Sequence, residues 1–109
     1  MTTPFSASGA IDEAAFRAEA RFLLDAGVHG LAVGGSTGEG HALSTEEVRR
    51  LTEIAVEEAD GRVPVVAGII VDSTGQAIER GGAAAGAGAA ALQVTPVHYL
   101  FRPDDAHMK

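Results

Sequence analysis

The stretch GGSTGEGHALSTEEVRRLTEIAVEEADGRVPVVAG, residues 34–68, decides the fold. It runs from a glycine-rich loop through a helix into a β-branched strand. A short apolar run, Leu31–Val33, leads into the loop. Ser44 followed three residues on by Glu47 is a capping box, so a helix starts there. Val48, Leu51, Ile54 and Ala55 recur at helical spacing, while Glu46, Arg49, Arg50, Glu53 and Glu57 lie largely on the opposite face. Gly61 stops the helix. RVPVVAGII, 62–70, is apolar and β-branched and reads as a buried strand. Strand, loop, helix and strand in that order imply parallel pairing through a right-handed crossover.

The same alternation extends outward on both sides. Asp12 is a good N-cap with Glu13 in the first turn, and Phe16, Ala20, Leu23 and Leu24 keep helical spacing up to Gly27. Val28–Val33 then reads as a strand. Beyond residue 70, Ser73 or Thr74 caps a third helix starting near Gln76. That helix is weak by propensity, because Gly81 and Gly82 each cost about 1 kcal/mol against alanine. The run GGAAAGAGAAA, 81–91, reads as a helix end, a glycine-bearing turn and the start of a strand Ala91–Thr95; a disordered linker is the alternative. TPVHYLFRPDD, 95–105, is a loop punctuated by Pro96 and Pro103. The order helix, strand, helix, strand, helix, strand fits a doubly wound α/β sheet and a (β/α)8 barrel alike. A barrel needs roughly 250 residues, and this chain of 109 offers three strands.

Bulk properties narrow the function. A formal net charge of −7 argues against a nucleic-acid partner, since phosphate binding needs clustered Lys and Arg. There is no cysteine, so disulfides and thiolate metal sites are excluded. No stretch approaches the ~20 apolar residues of a membrane span, and no secretory signal is visible. The expectation is a soluble cytoplasmic protein without a cofactor. The one lysine is Lys109, the last residue.

The loop admits three readings. A P-loop needs a lysine after its last glycine, and His41 follows Gly40 here. A dinucleotide fingerprint needs G-x-G-x-x-G turning directly into a helix; Gly35, Gly38 and Gly40 have the wrong spacing, and the helix starts later, at Ser44. The third reading is a carboxylate-binding loop at a strand's C-terminal end. Glycines let backbone N–H groups approach the ligand, and Ser36 and Thr37 add hydroxyl donors. The bland counterpart is a glycine turn whose hydroxyls bond their own backbone.

Residues 34–68 closely resemble the dihydrodipicolinate synthase / N-acetylneuraminate lyase family. The resemblance rests on the loop Gly35-Ser36-Thr37-Gly38-Glu39, then Leu43, the acidic and basic helix with Glu46, Glu47 and Arg50, and Arg62-Val63-Pro64-Val65-Val66-Ala67-Gly68. Thr3-Pro4-Phe5 with Gly9–Asp12 before it, and Val94-Thr95-Pro96 after it, extend the match over essentially the whole chain. It implies a (β/α)8 barrel, a lyase using class I aldolase chemistry through a Schiff base with pyruvate, and a homotetramer of tight dimers. By position, Thr37 corresponds to the hydroxyl that binds the pyruvate carboxylate with backbone amides. Ser36 corresponds to a proton-relaying hydroxyl. Gly35, Gly38 and Glu39 correspond to the frame of the loop. In the synthases two tyrosines follow the proline, the second reaching a neighbouring subunit's active site. Here Val97, His98 and Tyr99 follow Pro96, so His98 takes that place and Tyr99 lies one further on. Either can donate a proton. The departure points to a second substrate, an aldehyde or 2-oxo acid, other than that of the lysine-pathway synthases. His29, His41 and His107 have no metal-site spacing and read as incidental; Arg102 reads as surface.

The resemblance also implies a nucleophilic lysine at the end of the sixth strand, and Lys109 comes too early for it. The expectation is therefore that residues 1–109 are the N-terminal part of a barrel. They would run from the first helix through the fourth strand, with the first strand mostly missing and strands five to eight absent. Taken alone they would be inactive, and would not fold as a stable monomer because open sheet edges would expose apolar faces such as Val63–Ile70. A carboxylate-binding module without chemistry and a self-associating half-barrel are the alternatives.

Overall fold

The computed structural model describes residues 1–96. Val97 to Lys109 lie outside the described residues, and with them His98, Tyr99, Arg102, His107 and Lys109. In chain order the elements are α1 (Glu13–Asp25), β1 (Leu31–Val33), a 3-10 turn (Gly40–Ala42), α2 (Thr45–Ala59), β2 (Val65–Ile69), α3 (Thr74–Gly86) and β3 (Ala91–Val94). The strands form a parallel sheet in the order β1-β2-β3. Leu31, Ala32 and Val33 pair with Val65, Val66 and Ala67, and Val66 to Ile69 pair with Ala91 to Val94.

The local signals act as expected. The Asp12 carboxylate accepts from the Ala15 N–H at 3.0 Å. Ser44 and Glu47 form the reciprocal capping box, at 3.1 and 2.8 Å. Ser73, rather than Thr74, caps α3, accepting from the Gln76 N–H at 3.2 Å. The small-residue run is ordered as a helix through Gly86, a turn at Gly88 with φ +105°, and β3. Strand β1 is shorter than the expected Val28–Val33. The α1 helix ends by folding back on itself, with the Val28 N–H donating to the Leu23 carbonyl, so the chain extends only from Leu31.

One apolar layer lies between the helices and the sheet. Phe16 and Ala20 of α1, Val48, Leu51, Ile54 and Ala55 of α2, and Ala84 of α3 are buried against Leu31, Val33, Val65, Ala67 and Ile69. The expectation that Val63–Ile70 would be an exposed face is therefore corrected. β2 is the central strand, covered by α2 and paired on both sides, and Val65, Ala67 and Ile69 are buried. Of the two edge strands, β1 and β3, it is β3 that is exposed along its whole length, with Leu92 at 40% and Val94 at 59%.

Candidate functional site

Because the strands are parallel, their C-terminal ends lie on one side of the sheet. Each end contributes to one cavity of about 330 Å³. Ser36 and His41 come from the loop after β1, Ile70 from the exit of β2, and Thr95 and Pro96 from the exit of β3. In α/β folds ligands bind at this side of the sheet.

The loop between β1 and α2 is built on close backbone contacts. Gly34 has φ +66°. Its carbonyl lies against Gly40 and Gly68, so a methyl group on either residue would collide with it. The turn closes through the Glu39 N–H on the Ser36 carbonyl at 3.1 Å and the Gly40 N–H on the Gly35 carbonyl at 3.0 Å. Glu39 itself is left-handed, with φ 57°, which a non-glycine residue adopts only where the surroundings impose it.

Two distant side chains clasp this loop. The buried Thr3 hydroxyl donates to the Gly38 carbonyl at 2.6 Å. On the other side Arg80, 8% exposed on α3, donates to the Gly40 carbonyl at 3.0 Å and the Leu43 carbonyl at 2.6 Å, and its Nε reaches the Thr45 hydroxyl at 3.5 Å. Burial pushes the guanidinium below its usual value, while the charges of Glu47 and Glu79 act the other way. It remains a cation, and its hydrogen-bond acceptors are all neutral.

Against this bracing, the hydroxyls of Ser36 and Thr37 stand free. Both residues are exposed, and among the described residues neither hydroxyl has a hydrogen-bonding partner. Their N–H groups likewise donate to no described acceptor. A turn that uses its hydroxyls to bond its own backbone is thus not what the structure contains. Two adjacent hydroxyls and two adjacent amides together suit an anionic oxygen pair. Of the expected site residues, Ser36 is in the cavity wall, and Gly35 and Thr37 flank it in the same turn. His98 and Tyr99 lie outside the described residues.

His41, incidental by its spacing in the sequence, lines the cavity with Ser36. The available signal was its place directly after the last loop glycine; without a metal-site spacing it carried no weight. His29, by contrast, precedes β1 and so stands at the opposite end of the sheet. Among the described residues no group of three His, Cys, Asp or Glu side chains is placed to hold a metal ion, and no helix is long and apolar enough to cross a membrane.

Comparison with known proteins adds the context. A model of the dihydrodipicolinate synthetase family matches residues 1–109. The 4-hydroxy-tetrahydrodipicolinate synthase of Methylobacterium radiotolerans is 48% identical over 107 residues, covering 97% of this chain and 35% of that protein. A dihydrodipicolinate synthase from Bacillus anthracis superposes with a TM-score of 0.90 at 34% identity, covering 99% of this chain and 37% of its own. YagE, a prophage protein of the dihydrodipicolinic acid synthase family from E. coli K12 solved in complex with pyruvate, superposes at 0.88 with 33% identity, covering 96% of this chain and 35% of its own. The chain spans about a third of the length of the relatives it matches. Its parallel α/β sheet corresponds to the N-terminal part of their (β/α)8 barrels. The chain belongs to the dihydrodipicolinate synthetase family.

Proposed function

We propose that this chain supplies one wall of the active site of a lyase that holds pyruvate as a Schiff base and couples it to an aldehyde or a second 2-oxo acid. The observation that carries the reading is the cavity at the C-terminal ends of three parallel strands, with the free Ser36 hydroxyl in its wall. In this scheme the Thr37 hydroxyl and the adjacent loop amides hold the pyruvate carboxylate, with Gly35 letting the backbone approach. The Ser36 hydroxyl relays a proton to and from the Schiff base. His98 or Tyr99 donates a proton at the site of a neighbouring subunit. The amine belongs to another strand of the barrel, since the one lysine among the 109 residues, Lys109, follows the third strand too closely. Such an amine, with its pKa lowered by an apolar pocket, attacks the keto carbon and water leaves. The proposed assembly of the intact protein is a homotetramer of tight dimers in the cytoplasm.

Borohydride reduction tests the reading. The intact protein carrying this segment, reduced in the presence of pyruvate, is expected to gain a stable pyruvyl adduct by mass. Thr37→Val keeps the shape and removes a charge-assisted hydrogen bond worth roughly 1.5–3 kcal/mol. Pyruvate affinity is then expected to fall by about one to two orders of magnitude. No adduct in the unmodified protein would reject the Schiff-base chemistry. Unaltered affinity in the valine variant would reduce Thr37 to a brace.

A further inference from the structure

We infer that Arg80 is a positioning residue for pyruvate binding: from α3 it holds the loop after β1 in shape, so that the Ser36 and Thr37 donors stay unpaired until the ligand arrives. This rests on the lyase reading above.

Unpaired hydroxyls and amides in one exposed turn are not a resting arrangement for a chain. Serine and threonine hydroxyls readily bond nearby backbone, and the glycines beside them let the turn rearrange to meet them. Glu39 is a second source of instability, because its left-handed backbone persists only where its neighbours over-determine it. The turn therefore needs support from outside itself.

That support reaches the residues on either side of Glu39. Thr3 holds the Gly38 carbonyl and Arg80 holds the Gly40 carbonyl. The grip on Gly40 passes straight into the turn, since the Gly40 N–H donates to the Gly35 carbonyl beside Ser36. Arg80 constrains more than Thr3 does. Its two terminal nitrogens take the Gly40 and Leu43 carbonyls at the two ends of the 3-10 turn, and its Nε reaches Thr45 at the start of α2. A planar guanidinium with a fixed fork of donors sets the relative placement of those carbonyls. An ammonium carries the charge without the fork. Burying a guanidinium among neutral acceptors is costly. An apolar side chain would fasten α3 to the loop at lower cost, but it would leave both carbonyls free to move.

The test uses the intact protein carrying this segment. Borohydride trapping followed by intact mass is run over a range of pyruvate concentrations, which separates the half-saturating concentration from the maximal adduct. Arg80→Met is expected to raise the half-saturating concentration about 10- to 100-fold, the scale of a displaced binding group. The maximal adduct should stay within about threefold of the unmodified protein, because the reacting amine lies elsewhere. Arg80→Lys should fall between the two. Ala84→Gly, one turn further along α3 and buried in the core, weakens the helix without touching the loop. Its half-saturating concentration should stay within about twofold, which sets positioning apart from a loss of helix stability. If Arg80→Met does not fold, Arg80→Lys decides. Absence of a pyruvate adduct in the unmodified protein sinks the lyase reading and this inference with it. With the adduct present, three results overturn the inference alone: a half-saturating concentration unmoved in either Arg80 variant, an equal rise in Ala84→Gly, or a loss of maximal adduct without a rise in half-saturation.

Discussion

Gly40 and Gly68 sit on either side of the Gly34 carbonyl, and that contact leaves no room for a β-carbon at either position. Overpacking of this kind costs about 1–3 kcal/mol or more. In the intact protein carrying this segment, Gly40→Ala and Gly68→Ala are each expected to lower unfolding stability by at least that range in urea titrations, and Gly40→Ala to impair pyruvate binding by shifting the turn. Stability unchanged within about 0.5 kcal/mol would mean the loop relaxes freely, against the close approach described. In the sequence these glycines look alike. Their mutual contact joins the exits of two strands and a turn, so nothing local announces it. The loop's chemistry was legible because Ser36 and Thr37 lie adjacent between glycines. The weight of His41 and Arg80 was not, because each owes its role to partners far along the chain.

The helices were legible because capping and spacing are local. The Ser44 capping box, the buried stripe of α2 and the stop at Gly61 are each read within a few residues. The β1 boundary was misread because Val28 is apolar in either role, and the helix-end hydrogen bond to Leu23 claims it. The α3 glycines illustrate what context adds. Gly82 is exposed with open space around it, so Gly82→Ala is expected to stabilise by about 1 kcal/mol. At Gly81 a methyl group would meet Leu92 Cδ1 at 3.1 Å, so Gly81→Ala should gain less or lose. Thermal melts of the two variants of the intact protein carrying this segment check the contrast. Between α1 and α2 runs a lattice of ion pairs, Arg17 with Glu57 and Glu58, Arg21 with Glu58, and Arg50 with Glu13, while Arg50 also pairs with Glu53 within α2. The hydrogen bond from Arg21, and next that from Arg17, holds the Glu58 carboxyl below its usual range; Arg50 does the same for Glu13, and Arg49 followed by Arg50 for Glu53. Carboxylates depressed in the folded state stabilise it above their unfolded pKa, and that contribution is lost as pH falls through the folded values. Stability is therefore expected to decline below about pH 4.3, the ordinary carboxylate value, and to decline less at high salt, where the pairs are already screened. For the intact protein carrying this segment, a denaturation midpoint flat between neutral pH and pH 3 would contradict this.

At the scale of the molecule, the sheet ends at β3 with its backbone edge and the side chains of Leu92 and Val94 uncovered, and Ile78 on α3 is exposed as well. An exposed apolar edge is a template for pairing with another chain. The 109-residue polypeptide alone is expected to self-associate in sedimentation, to bind hydrophobic dyes and to lack a sharp cooperative melt. Leu92→Lys with Val94→Lys should shift it towards monomer. A cooperative, monomeric parent chain would show the three strands to be self-sufficient. The parallel architecture was readable from alternation alone. Which strand would be left open was not, because strand order is a property of pairing, and β2 is shielded only once β1 and β3 flank it.

The clasps on the glycine loop have a consequence for how it comes into being. Thr3 reaches Gly38 across 35 residues, and Arg80 reaches Gly40 and Leu43 across 40 and 37. Contacts so distant in sequence carry the loop-closure cost before they return any stabilisation. The loop is therefore expected to set after α3 has docked, late on the folding route and beyond the transition state. Removing either clasp should hasten unfolding and leave the refolding rate nearly unaltered. By the same logic the loop opens without global unfolding, and in hydrogen exchange its amides should give up their protons well before those of β2.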